Sequence, residues 1–420
     1  MIRKKFKAGA LQFAILISVV VAVLLSSFLL LTHTQQRLHQ RVGFAQETIR
    51  ISHTGIAYAK QQQLAYNTVI TPDIETVPVE SLTLQQSHWG IYDKLIAQAQ
   101  WKKHTHQKIA LLGGQFPSNE RPALYLEDTN TPLVLVGNTS ITGNAYLPRQ
   151  GVKAGNIAGN YYQGNTLING DINPSNRTLP QLSKAKKDYL EALIFGRPPL
   201  ADSLYIQSTS AILEHQFDQD ALWLYRSGVI DLTGTYRTNI IVKSDTLIRV
   251  SAFAKAENII LVAPIIQISS GFSGTIQAFA SKGIEVSENV SLNYPSAVLL
   301  WEKETDDNAT TDNIQIALRK GSRISGSVAY IGTATQRITR PKILLETESL
   351  VYGEVYSEQP IQLSGSVEGS VFTHGFATQE RGSIYQNHIY NGAIDVRNLP
   401  ESYCGLFTGN TQTNLVTWLY

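Results

Sequence analysis

The sequence predicts a mainly β protein, with a single N-terminal transmembrane and stalk helix followed by a β-rich region and an irregular β-helix, or solenoid. Three observations carry this. Residues 8–36 contain no Asp, Glu, Lys or Arg. Beyond residue 238, β-branched and aromatic runs alternate with Gly, Asn and Ser, and no long helical period separates them. A short pattern, apolar-x-Gly-x-apolar, recurs through the same region. The 420 residues suffice for two or three domains, and 43% hydrophobic against 16% charged residues excludes a disordered tether.

The first element is the anchor. Residues 10–31 are Ala, Leu, Ile, Val and Phe, broken only by Gln12 and three serines. About 20 such residues span the hydrocarbon core of a bilayer. Arg3, Lys4, Lys5 and Lys7 precede them, which places that end in the cytoplasm and the bulk of the chain outside. A cleaved signal would have a shorter apolar run and a small-x-small site, and Thr32-His33-Thr34-Gln35 offers none. The expectation is a single-pass anchor in the inner (cytoplasmic) membrane.

Leu38, Val42, Ala45, Ile49, Ser52, Ile56 and Ala59 then recur at heptad spacing, so the helix continues as a stalk, locally weakened by Gly43 and Gly55. Its seam packs either on the protein's own globular part or on another molecule. The basic leader, with Lys7-Ala8-Gly9 before Ala10-Leu11-Gln12-Phe13, resembles the type IV pilin and pseudopilin family. That resemblance covers the first 60 residues or so and implies cleavage after Gly9 by a prepilin peptidase, leaving Ala10 as the new N-terminus. The fifth residue after the cut is Ala14, where major pilins carry Glu and some minor members do not.

Two short helices are expected beyond the stalk. In residues 87–103, Trp89, Tyr92, Ile96 and Ala99 fall at helical spacing behind Ser87. In residues 181–195, Leu182, Ala185, Tyr189, Ala192 and Leu193 share a face, and Gly196 with Pro198-Pro199 stops the helix. Lys184, Lys186 and Lys187 read as a solvated face.

The strands follow. The glycine pattern appears as Ile324-Ser-Gly326-Ser-Val328, Val351-Tyr-Gly353-Glu-Val355, Leu363-Ser-Gly365-Ser-Val367 and Val367-Glu-Gly369-Ser-Val371, with upstream copies at Ile141, Ile168 and Phe272. Two inward apolar residues around a glycine make a short strand beside a tight corner, and stacked copies bury a shared core. A Gly-rich antiparallel sandwich is the competing architecture. The stretch 349–372 resembles bactofilins, the polymer-forming cytoskeletal β-helices, and so implies a structural role without an active site. In this register Val355, Val367 and Val371 point inward, and Glu354 and Glu368 face solvent.

Chemistry is sparse in the sequence. No Walker loop, G-x-G-x-x-G, G-x-S-x-G, H-E-x-x-H or C-x-x-C is present, so no catalytic, cofactor or metal residue is assigned and no cofactor is expected. The lone Cys404 forms no internal disulfide. The nine histidines are scattered, and a formal charge of +2 argues against nucleic acid. Glu302, Glu304, Asp306, Asp307 and Asp312 crowd one loop, yet lack the glycine and spacing of an EF-hand. Were a carbohydrate-active site present, its carboxylates would be Asp218, Asp220 and Asp231, or Glu354 with Glu368; Tyr161-Tyr162 could stack on sugars.

The organisation expected is leader and anchor (1–36), stalk (37–66), a mixed segment (67–131), a β-rich region with an inserted helix (132–237), a solenoid (238–398) and a final apolar strand as cap (399–420). The corresponding function is a non-enzymatic, membrane-anchored envelope or surface component, a minor pilin-like or scaffold protein. Its partners would be membrane lipid and either pilus or secretion-apparatus subunits or further copies of itself. The alternative is a surface carbohydrate-binding or polysaccharide-active β-helix protein.

Overall fold

The computed structural model describes residues 9–62, 64–77, 81–117, 120–199, 203–205, 212–303, 314–332, 340–409 and 411–419. The chain is mainly β, with one long apolar N-terminal helix. It divides into two compact units: Met1–Tyr58 with Val69–Leu84 and Ala97–Lys108, and Ala59–Thr68 with Gln85–Ile96 and Ile109–Tyr420.

The helix α1 (Gly9–Gln61), all but its last three residues in the first unit, runs unbroken for 53 residues. Hydroxyls within its apolar stretch bond back to the preceding turn, Ser18 to the Ala14 carbonyl and Thr32 to that of Phe28, which satisfies them without water. The C-terminal part of the helix is packed: Thr48, Ile51, Ser52, Gly55 and Ile56 are buried. Gly43 and Gly55 both lie within continuous helix. A side chain at Gly55 would press on the Leu82 and Leu84 methyls at 2.9 Å, so glycine here permits close packing. Helical backbone ends at Gln61, short of Tyr66, which instead bridges to Gln86.

Residues 87–103 are not helical. They lie in the strands Leu82–Trp89 and Tyr92–Trp101, joined through Gly90 at φ +61°. Leu95, Ala97 and Ala99 are buried while Gln98 and Gln100 are exposed. That period of two decides the segment, and the helical spacing of Trp89, Tyr92, Ile96 and Ala99 is coincidental.

In the second unit successive strands pair in parallel. Leu222–Arg226, Thr235–Ser244, Lys255–Ile268, Ser273–Val286, Ser291–Trp301, Arg323–Ile331, Leu350–Ser357 and Ser366–Thr373 form one ladder. A second runs through Ile230–Leu232, Leu247–Val250, the later halves of two long strands, Gln315–Leu318, Ile343–Leu345 and Ile361–Leu363. A third joins Ser291, Arg323, Leu350, Ser366, Ala393 and Ser140. One inward column reads Val242, Leu261, Ala278, Val298, Val328, Val355, Val371, Leu124 and Ala145, each in register with the next. All belong to one buried cluster.

The order in this column differs from the order in the chain. Leu124–Leu126 and Ala145–Leu147 stack beyond Ser366–Thr373, so early residues close the far end of a ladder that later residues build. The ladders therefore extend beyond 238–398.

The outward face of the first ladder is also apolar. Ile260, Val262, Phe279, Leu299, Tyr356 and Phe372 pack with Trp89, Ile109 and Leu111, and with α2 (Lys184–Phe195) through Leu190, Leu193 and Ile194. Burial on both faces explains the near-continuous apolar runs such as Ile259-Ile260-Leu261-Val262-Ala263. The Ser183 hydroxyl caps α2 by accepting from Lys186 N. The buried face of α2 is rotated from the expected one: Ala185 and Ala192 are exposed, and Lys186 is buried. The last strand, Gln412–Leu419, pairs antiparallel with residues 109–115. It is an added sheet strand, and residues 116–411 are inserted between two neighbours of one sheet.

Candidate functional site

The apolar N-terminal helix α1 is the feature with the clearest functional content. From Leu11 to Leu31 the large side chains of α1 are exposed, and none of the described residues covers the most apolar window. By length and composition this helix can cross a membrane. Gly9 opens it with nothing within 4 Å of a would-be side chain, and Ala10 is exposed. The basic residues of the leader lie outside the described residues. Of the heptad seam, Ser52, Ile56 and Ala59 are buried, whereas Leu38, Val42 and Ile49 are exposed.

The glycines of the repeated pattern serve a common geometry. Gly326, Gly353 and Gly369 are in register and hold φ of +143°, +147° and +148°. A side chain at Gly353 would strike the Gly326 carbonyl oxygen, and one at Gly369 that of Gly353. Both the backbone conformation and the contact from the neighbouring turn of chain therefore require glycine. Gly365 sits apart from this column, against Ser349 and the Glu346 carbonyl.

The carboxylates singled out in the sequence do not converge. Asp231 pairs with Arg249 at 3.0 Å on the surface. Asp218 and Asp220 lie near Lys94, whose ammonium donates to the Phe217 and Gln219 carbonyls. Glu368 is half-buried, and Tyr161 is exposed while the Tyr162 hydroxyl donates to the Thr166 carbonyl. Of the acidic loop, Glu302 pairs with Lys342 at 3.1 Å, and Glu304, Asp306, Asp307 and Asp312 lie outside the described residues. Cys404 is buried, and burial pushes its thiol up to about 11.

Glu354 does not face solvent. It lies 3% exposed, accepting from the Ser327 hydroxyl at 2.9 Å and from the Leu406 N–H. The period-two register does turn it outward, but residues 403–406 cover that face. Desolvation raises its pKa against these two hydrogen bonds and the more distant Arg121.

The strongest polar cluster was not signalled by the sequence. Lys186 and Asp93, each 1% exposed, meet at 2.5 Å. Lys186 also donates to the Tyr92 carbonyl at 2.7 Å, and Asp93 accepts from Tyr66 at 2.9 Å and Gln86 at 3.0 Å, with His88 Nδ1 at 2.9 Å. Burial pulls Asp93 upward, but Lys186 and the His88 hydrogen bond outweigh it and hold the carboxyl at about 2. The His88 ring is stacked between Tyr66 and Tyr189. A second buried lysine, Lys243, donates to the Leu193, Ile194 and Gly196 carbonyls at the end of α2, and burial brings it down to about 8. These groups fasten α2 in place.

No protein-family model matches the sequence, and a comparison with curated proteins gives no significant match. Among solved structures, the competence-associated pilin ComZ from Thermus thermophilus is similar over 84% of this chain and 86% of its own, at 11% identity and a TM-score of 0.27. A superposition of that quality establishes neither a shared fold nor a shared function.

Proposed function

We propose that this chain is a non-enzymatic, membrane-anchored structural component of the cell envelope, of the minor pilin-like kind, carrying an irregular β-solenoid on a single N-terminal span. The observation that carries the proposal is the contrast along α1. Its first half is apolar and, among the described residues, bare of contacts from its own chain, while Thr48, Ile51, Ser52, Gly55, Ile56 and Ala59 are packed. A bare apolar helix of that length is stable only in lipid or against other apolar helices. The solenoid reading is supported by three parallel ladders, a continuous inward column and the stacked Gly326, Gly353 and Gly369. The resemblance to bactofilins is kept for that rung pattern and not for end-to-end polymerisation.

In this reading the basic leader is cytoplasmic, the span lies in the inner membrane, and Gly9-Ala10 is the processing site. Partners are lipid and the subunits of a pilus or secretion apparatus, or further copies. The test is protease added to intact spheroplasts, together with mass spectrometry of the mature N-terminus. Digestion of everything beyond about residue 36, with Ala10 as first residue and processing blocked by Gly9→Leu, is expected. Protection of the globular part overturns the orientation, and an N-terminus at Met1 or Ile2 removes the pilin-like reading.

A further inference from the structure

Beside the ladders, the second unit contains a cavity of about 850 Å³, within the roughly 300–1,000 Å³ of small-molecule sites. Its charged lining is two carboxylates, Glu127 and Glu358, against two ammonium groups, Lys153 and Lys187. The inner pair is already spent. Glu358 accepts from Lys187 at 3.3 Å, from the Tyr356 hydroxyl at 3.3 Å and from Gly332 N at 3.0 Å. Glu127 is different. Its side chain is 20% exposed, and among the described residues its carboxylate meets one polar partner, His374 Nδ1 at 3.2 Å. A carboxylate offers about four acceptor positions, so a largely buried group keeps most of them directed at neighbouring space.

The geometry points to this cavity as a binding site for an uncharged polyhydroxyl ligand, a short oligosaccharide segment, with Glu127 accepting from its hydroxyls. The lining charges cancel, so neither an anion nor a cation meets a net field. The remaining polar groups include Thr129, Thr131, Gln386, Asn387 and the imidazoles of His374 and His388. Hydroxyl and amide groups combine donor and acceptor character, which matches sugar hydroxyls that do the same. Pro132 and Pro360 supply half-buried apolar surface for ring C–H groups. The inference is independent of the membrane reading, since no residue of α1 takes part.

The test uses the full chain in a zwitterionic detergent without a sugar headgroup. Neutral trisaccharides of glucose, N-acetylglucosamine, galactose and mannose are titrated by saturation-transfer NMR, with inorganic phosphate and tri-alanine as comparisons. Saturable binding of at least one trisaccharide, weakened about tenfold or more by Glu127→Gln, is expected. Thr129→Trp provides the second variant: Thr129 is exposed, so the new ring fills the cavity mouth without disturbing the core, and binding should be lost with the melting temperature kept. Absence of saturation by all four trisaccharides up to about 20 mM overturns the proposal. So does equal binding of phosphate or tri-alanine, or binding that survives both variants.

Discussion

Gln277 and Glu354 stand in the same outward column of the first ladder, linked in register through Ala297 and Ser327. Each serves a segment that lies over it. Gln277 accepts from Ile91 N at 2.9 Å and donates to the Trp89 carbonyl at 3.2 Å, and Glu354 accepts from Leu406 N. Polar residues in a buried column thus satisfy backbone groups that could not otherwise be covered. Because burial raises the Glu354 pKa, its protonated form favours the fold. That stability is complete below the unfolded carboxyl value and is lost as pH rises through the folded one. Thermal melts should therefore show stability of the wild type falling over that interval relative to Glu354→Gln; parallel profiles would refute the assignment. Asp93 runs the other way. Held at about 2 against an ordinary 3.8, it contributes in full above that ordinary value and loses its contribution as pH falls toward 2. Lys186→Met alone strands a buried carboxylate at a cost of about 3–5 kcal/mol. Adding Asp93→Leu should recover part of it in denaturant unfolding, and additive losses would deny the coupling.

At the scale of elements, α2 is short and its exposed Lys184–Asp188 pair contributes little; its position depends on Lys243 at its end and Lys186 along its buried face. Lys243→Ala leaves three carbonyls without their donor, and hydrogen exchange in residues 190–196 should accelerate before any other part of the second unit opens. Uniform acceleration would mean that α2 has no separate dependence on Lys243. The strands carry a sharper contrast. Val367 lies in the inward cluster, so Val367→Asp should cost about 3 kcal/mol or more, whereas Glu368→Gln should stay within ~0.5 kcal/mol. Gly353→Ala combines an unfavourable φ with a collision at the Gly326 carbonyl, and about 1–3 kcal/mol of loss is expected from the backbone strain alone. Chemical denaturation of the three variants checks all of this at once, since a slipped register would exchange the ranking of Val367 and Glu368.

At the scale of the molecule the decisive fact is the route of the chain. Residues 116–411 leave one sheet strand and return as its neighbour Gln412–Leu419, and two early strands of this long insertion extend the ladder of later ones, Leu124–Leu126 stacking on Ser366–Thr373 and Ala145–Leu147 on Leu124–Leu126. A chain ended after Asn410 should lose amide protection in residues 109–115 while retaining protected amides in Lys255–Ile268 and Ser273–Val286. Loss of protection throughout would show that the ladders do not hold without the closing strand.

The sequence by itself determined the elements whose signal is local. The uncharged run through residue 36 specifies the apolar part of α1, Gly196 stops the second helix, and apolar-x-Gly-x-apolar marks strands whose valines face inward, because each depends on period and composition within a few residues. The stacked glycines are legible for the same reason, since each corner repeats the last. Tertiary structure decided the rest. Residues 87–103 became two strands because sheet pairing outweighed a chance helical spacing. Glu354 and Lys186 were buried because segments distant in sequence cover them, and the Glu127 cavity assembles residues from 127 to 388. No window of sequence contains such covering partners, and burial, hydrogen bonding and charge pairing are settled only when those partners arrive.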